Sequence, residues 1–150
     1  MSLQATIADE VKTAMRAKDT ARLATLRFLQ AAIKQKEIDE RQTLSDTDVI
    51  AIIEKQVKQR RESIAAYEQA GRMETAAQET AEIAVLQTFL PQAASEEEVL
   101  AAIDEAISQA RASGIEGPAV MGKVMATLKQ SLAGRADMSA VSKQVKSKLS

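Results

Sequence analysis

Residues 89–99 read Phe89-Leu90-Pro91-Gln92-Ala93-Ala94-Ser95-Glu96-Glu97-Glu98-Val99, and this stretch divides the chain in two. Pro91 ends the helical pattern before it, because proline has no N–H to donate within a helix. Ser95, followed three residues later by Glu98, is a capping box and predicts that a new helix begins there. We therefore predict two domains, residues 1–92 and residues 93–150.

Apolar residues on both sides of this boundary recur at intervals of three and four, the spacing of one face of an α-helix. A second capping box, Ser45 with Asp48, stands directly before the apolar run of residues 49–53. Gly71 is a natural helix end, and Pro118 is predicted to be a first helical residue capped by Gly117. Since no alternating run is long enough to predict a strand, the predicted fold class is all-α, in two parts. Further caps are predicted at Ser2 and Asp19, and the apolar stripe that ends at Pro91 includes Ala76, Ile83, Leu86 and Phe89.

The composition excludes most kinds of active site. The 150 residues include no Cys and no His, so there is no disulfide, thiolate nucleophile, cysteine zinc site or imidazole base. Aromatic residues make up only 2% of the chain, which favours close-packed helices. We therefore predict a binding protein with no catalytic residue, no cofactor and no metal.

The start of the chain and its apolar runs predict a cytoplasmic location. Asp9 and Glu10 fall where a signal peptide needs an apolar run. The longest purely apolar run, residues 49–53, is far too short to cross a bilayer. We expect a soluble cytoplasmic protein with no membrane partner.

The net charge of −1 conceals blocks of opposite sign. Residues 12–36 carry seven basic side chains against one acidic, and residues 118–150 carry six against one. Residues 91–117 have the reverse balance, six acidic against one basic. Local basic surfaces of this kind indicate an anionic partner. With so few aromatic residues for stacking, a nucleic acid would be recognised through its backbone and shape.

The same charges also fit a second interpretation, in which they only solvate helices. Acidic residues at a helix start and lysines at a helix end suit the helix dipole. Acid-before-base pairs four residues apart are typical of exposed helix faces. These pairs are Glu37–Arg41, Glu54–Lys58 and Glu68–Arg72.

The segment from Gly117 to Lys123 matches the first seven positions of a phosphate-binding loop, G-x-x-x-x-G-K. The eighth position must be Ser or Thr to hold magnesium, and here it is Val124. The motif also needs a preceding strand, which the sequence does not predict. We interpret Gly122 as a point of close helix approach and Val124 as a core residue.

Six short stretches occur in a specific order along nearly the whole chain. They are residues 26–34 with Glu37-Ile38; residues 58–64; residues 67–72; Leu86 with Phe89-Leu90-Pro91; residues 121–125; and residues 134–137 with Val141 and Val145-Lys146. Together they resemble the stand-alone YqeY-like proteins of bacteria. They also resemble the GatB/YqeY domain that forms the C-terminal tail of the B subunit of glutamine-dependent tRNA amidotransferase.

This resemblance implies an all-helical fold with a larger N-terminal domain and a small three-helix C-terminal domain. It also implies an association with the transamidation of misacylated tRNA, the work of a carbon–nitrogen ligase that uses glutamine as amide donor. In that enzyme the chemistry lies in other parts, and the tail helps to hold tRNA. The implied function is a non-catalytic tRNA-binding or accessory module. Its partners would be tRNA and the amidotransferase or another translation-related protein.

The family motifs carry over to Gly122, Lys123, Gly134, Arg135 and Ala136. Lys123 and Arg135 would contact phosphate, together with two lysines that point away from the apolar stripe of the last helix. Those two lysines are Lys143 and Lys146, whereas Lys148 lies near the edge of the stripe. The glycines and the alanine would be structural.

Two other functions stay open. A helical protein–protein interaction adaptor with no RNA role is the main alternative. A free-standing carbon–nitrogen ligase is the weakest, because the sequence contains no nucleotide site.

Overall fold

A computed structural model describes residues 2–150 of the chain. These residues form seven α-helices and no strand, which confirms the all-α fold class. The chain divides into two compact units, Met1–Leu90 and Pro91–Ser150. Among the helices of the described chain, none combines the length and the apolar character needed to span a membrane.

The first unit contains four helices, and the first three begin where the sequence predicted caps. The Ser2 hydroxyl accepts the Ala5 N–H (3.1 Å), and the Asp19 carboxylate accepts the Arg22 N–H (3.2 Å). At the third helix the capping box is complete, because Ser45 and Asp48 each accept the backbone N–H of the other. The helices are α1 (Leu3–Arg16), α2 (Thr20–Glu40), α3 (Asp46–Gln69) and α4 (Met73–Gln87).

The core of this unit forms where α2 packs against the other three helices and α3 packs along α4. Gly71 lies between α3 and α4 with a φ of +75°, a left-handed conformation that favours glycine at a helix end. Burial of these apolar stripes is the main stabilising contribution to the unit. Its largest fully buried side chains are Ile7, Leu26, Leu29, Ile53 and Leu86.

The prediction that α4 extends through Phe89 was wrong. The helix ends at Gln87, four residues before Pro91. Residues 88–90 continue as a tighter turn, because their N–H groups bond to carbonyls only three residues back. This turn directs Phe89 into the core, where it is buried.

The second unit contains α5 (Glu96–Ala112), α6 (Ala119–Ser131) and α7 (Met138–Leu149). Helix α6 packs against both α5 and α7, around the fully buried side chains Ile103, Val124, Leu128 and Val145. Pro118 is the residue before α6 and not its first residue, a one-residue difference from the sequence prediction. Gly117 precedes it with a φ of +67°.

Candidate functional surfaces

The three lysines of the second unit that the sequence predicted as phosphate contacts point to solvent. Lys143 and Lys146 lie on α7, on the side opposite the buried Val141 and Val145, and Lys123 lies on α6. All three are exposed, and none takes part in an ion pair within 4 Å among residues 2–150. Their ammonium groups are therefore available to an external anion.

Lys148 has a different environment from its neighbours on α7. Its ammonium group pairs with the carboxylate of Asp104 on α5. This contact ties the end of α7 to α5. The pairing separates Lys148 from the two exposed lysines of the same helix.

Arg135 lies in the turn between α6 and α7 and makes contacts within its own unit. Its Nη2 donates to the Glu98 carboxylate (2.5 Å), and its Nε donates to the Gln92 carbonyl (3.0 Å). Its own carbonyl accepts the Ala94 N–H (2.8 Å). Arg135 thus anchors this turn to the start of α5.

Glu98 takes part in two interactions at the start of α5. Its N–H is capped by the Ser95 hydroxyl (3.1 Å), as the sequence predicted. Its carboxylate pairs with Arg135, and this bond holds the pKa of Glu98 below its ordinary value. The charge of Glu98 is therefore used to orient the turn that carries Arg135.

The small residues carried over from the family motifs have different environments in the structure. Gly134 has a φ of +71°, as a turn that needs glycine requires, and Ala136 packs against the core of the unit. Val124 is buried in the core, as predicted. The prediction of close helix approach at Gly122 was wrong, because a Cβ there would meet no atom of another element within 4 Å.

Two of the acid-before-base spacings noted in the sequence form no ion pair in the described chain. Glu37 does not pair with Arg41 in the described chain, because α2 ends at Glu40 and Arg41 turns away with a φ of +55°. The Glu37 carboxylate instead accepts the Leu44 N–H (3.0 Å) and the Gln4 amide (3.1 Å), which lowers its pKa. Glu68 and Arg72 are likewise absent from the ion pairs among residues 2–150.

A feature of the first unit was missed by sequence reasoning. Phe28 on α2 is 60% exposed, and the Arg60 guanidinium of α3 lies 5.6 Å from the centre of its ring. Arg60 also pairs with Glu82 on α4, so three helices meet at this point. The signal in the sequence was the position of Phe28 outside the Leu26–Leu29 stripe.

The fold is that of a small helical protein with solvent-facing lysines. The model of the YqeY-like protein family matches residues 4–149, nearly the whole chain. The chain therefore belongs to the YqeY-like family, which confirms the resemblance found in its motifs.

Several curated relatives of this chain are fungal proteins named "Altered inheritance of mitochondria protein 41, mitochondrial". The protein from Pyrenophora tritici-repentis is 31% identical over 91% of this chain and 75% of its own length. The Kluyveromyces lactis protein is 35% identical over 80% of this chain and 68% of its own. The Vanderwaltozyma polyspora protein is 37% identical over 54% of this chain and only 44% of its own length. These matches give no support to the bacterial origin that the resemblance implied.

Proposed function

We propose that this protein is a non-catalytic tRNA-binding accessory module whose second unit carries the RNA contacts. The observation that supports this most directly is the pair Lys143 and Lys146, which are exposed on α7 and have no acidic partner within residues 2–150. They lie three residues apart, so their ammonium groups project from one side of the helix. Lys123 adds a third exposed cation on the neighbouring helix α6.

The composition of the second unit limits how it could bind RNA. Its residues include no Phe, Tyr or Trp, so bases cannot stack on aromatic rings there. Lysines contact phosphate as point charges and carry no base-edge specificity. The proposed target is therefore a folded RNA recognised by its backbone and shape. Arg135 contributes through the guanidinium N–H groups that Glu98 and Gln92 leave open.

The proposed association is with glutamine-dependent tRNA amidotransferase or another translation-related protein. We expect no independent catalysis, because the sequence offers no nucleotide site and no His or Cys. The cytoplasmic location stays a prediction from the sequence, since the named fungal relatives carry a mitochondrial designation.

Equilibrium binding to unfractionated tRNA at moderate salt tests the proposal. We expect Lys143→Glu/Lys146→Glu to weaken binding by more than about 10-fold, because two favourable phosphate contacts become repulsive. The matched control is Lys55→Glu/Lys58→Glu, which changes the same charge at the same spacing on exposed positions of α3. The control should stay within about 2-fold of the parent.

Two results would contradict the proposal. One is equal tRNA affinity of the parent and the Lys143→Glu/Lys146→Glu variant, which would favour the adaptor alternative. The other is glutamine-dependent amide transfer by the purified chain alone, which would show that the protein is itself a catalyst.

A further inference from the structure

The outward face of α2 carries a row of side chains at the spacing of a coiled-coil seam. Its members are Ala24, Phe28, Ala31, Gln35 and Ile38, separated by intervals of four and three. All five are exposed, and Phe28 and Ile38 are the most prominent, with 60% and 58% of their surface accessible. We call this row the outer seam.

The outer seam lies on the opposite side of α2 from the stripe that fills the core. Leu26, Leu29 and Ile33 form that inner stripe and are buried. A helix that packs one apolar stripe normally presents a polar outer face. The four-three spacing of the outer seam is the pattern by which a helix receives a partner helix, with each side chain inserted between those of the partner.

The surroundings of the outer seam are basic. Arg27 and Lys34 occupy the flanking positions, seven residues apart along one side of the seam, and both are exposed. Arg27 also contacts the sulfur of Met15 (3.9 Å), a further exposed apolar side chain. At the other end, the Asp39 carboxylate already accepts the Gln35 amide (2.9 Å). Flanking charges select the partner of a coiled coil, so this face favours acidic residues opposite it.

We propose that the outer seam docks an acidic amphipathic helix of another protein. The occupant would carry apolar side chains at heptad spacing against Phe28 and Ile38, and Asp or Glu against Arg27 and Lys34. The seam covers the 15 residues from Ala24 to Ile38, about 21 Å along the helix, which accommodates roughly four turns of a partner helix. A protein partner is favoured over RNA because Met15 and Ile38 are exposed aliphatic side chains, which cannot stack with bases as an aromatic ring does.

A synthetic 21-residue helical peptide with Leu at the seam positions and Glu at the flanking positions is a suitable probe. We expect Phe28→Ala/Ile38→Ala to weaken its binding to the full chain by at least about 10-fold. The control is Met73→Ala/Leu100→Ala, which removes exposed apolar side chains (59% and 42% accessible) outside the seam and should change affinity less than about 2-fold. Unchanged helical circular dichroism shows that each variant is folded.

Exchanging the charges tests the docking geometry separately. The Arg27→Glu/Lys34→Glu variant should no longer bind the Glu-flanked peptide. It should instead bind the same peptide with Lys at the flanking positions. Rescue by the Lys-flanked peptide is expected only if these two residues face the partner. A general effect of net charge would not depend on where the two residues lie.

Three results would overturn the proposal. The first is that the parent does not bind the Glu-flanked peptide, or that the parent and the Phe28→Ala/Ile38→Ala variant bind it equally well. The second is a loss of tRNA binding in Phe28→Ala, which would make the face a nucleic-acid surface. The third is a concentration-dependent dimer of the parent that Phe28→Ala abolishes, which would make the occupant a second copy. The proposal does not rest on the function proposed for the second unit.

Discussion

The guanidinium of Arg135 donates to the carboxylate of Glu98, and this contact fixes the turn between α6 and α7 against the first turn of α5. The two residues are 37 positions apart in the sequence. The same guanidinium also bonds to the Gln92 carbonyl, so one side chain connects the turn to two points of the preceding segment. The second unit thus places Lys143 and Lys146 on α7, a helix whose preceding turn is anchored.

Removal of the Arg135 side chain should destabilise the protein. We expect Arg135→Ala to lower the melting temperature by about 3–8 °C, because a partly exposed ion pair and a hydrogen bond to a carbonyl are both lost. Lys143→Ala is the control and should leave the melting temperature within about 1 °C. Thermal denaturation followed by circular dichroism measures both. An unchanged melting temperature for Arg135→Ala would show that the turn does not need this anchor.

Stability should depend on pH only in the acid range. The pKa of Glu98 is lowered by Arg135, that of Glu37 by the Leu44 N–H, and that of Asp48 by Ser45. A carboxyl group with a lowered folded-state pKa stabilises the fold above its unfolded pKa, and this contribution is lost as pH falls through the folded pKa.

Because the chain has no His or Cys, we expect the urea midpoint to stay level between about pH 5.5 and 8.5 and to fall below about pH 4. Urea unfolding at a series of pH values checks this. A steep change in the urea midpoint between pH 6 and 8 would contradict the expectation that stability depends on pH only in the acid range, through carboxyl groups. Glu98→Gln should reduce the loss of stability at acid pH.

Two glycines of the second unit should respond to alanine in opposite directions. Gly122 lies inside α6 with open space where a Cβ would stand, so Gly122→Ala should stabilise the protein by roughly 0.5–1 kcal/mol. Gly134 has a φ of +71°, where a Cβ is strained, so Gly134→Ala should destabilise it by about 1 kcal/mol or more. Urea denaturation of both variants measures the difference. The same sign of change in both variants would refute this reading of the backbone.

The capping box of α3 should contribute measurably to stability. Ser45→Ala removes the acceptor for the Asp48 N–H, and we expect a loss of about 1 kcal/mol. Ser131→Ala, an exposed position at the end of α6, is the control and should change the free energy of unfolding by less than about 0.5 kcal/mol. Chemical denaturation compares the two variants, and equal values would mean that the cap is dispensable.

Local features of the fold were predictable from the sequence. The caps at Ser2, Asp19, Ser45 and Ser95 depend on residues within three positions of one another, and the structure confirms each of them. The apolar stripes depend on the helical period alone, so the buried faces of the helices were also predictable. The one-residue error at Pro118 is the usual uncertainty of a helix boundary.

Features that depend on tertiary contacts could not be predicted in the same way. The pairing of Arg135 with Glu98 joins residues far apart in sequence, and only the packed unit brings them together. Similarly, the Glu37 carboxylate accepts the Leu44 N–H and does not pair with Arg41 in the described chain, a choice that depends on how the segment after α2 folds back. Phe28 was missed because the inner stripe of α2 is sufficient to explain how that helix packs into the core, so its outer face received no attention.

The central claim is that Lys143 and Lys146 contact RNA phosphates, and the salt dependence of tRNA binding tests it most directly. Each neutralised phosphate contributes roughly 0.7–0.9 to the slope of log K against log salt concentration. We predict that Lys143→Gln/Lys146→Gln makes this slope shallower by about 1.4–1.8, whereas Lys55→Gln/Lys58→Gln leaves it unchanged. An identical slope and affinity for the parent and the Lys143→Gln/Lys146→Gln variant would contradict the claim.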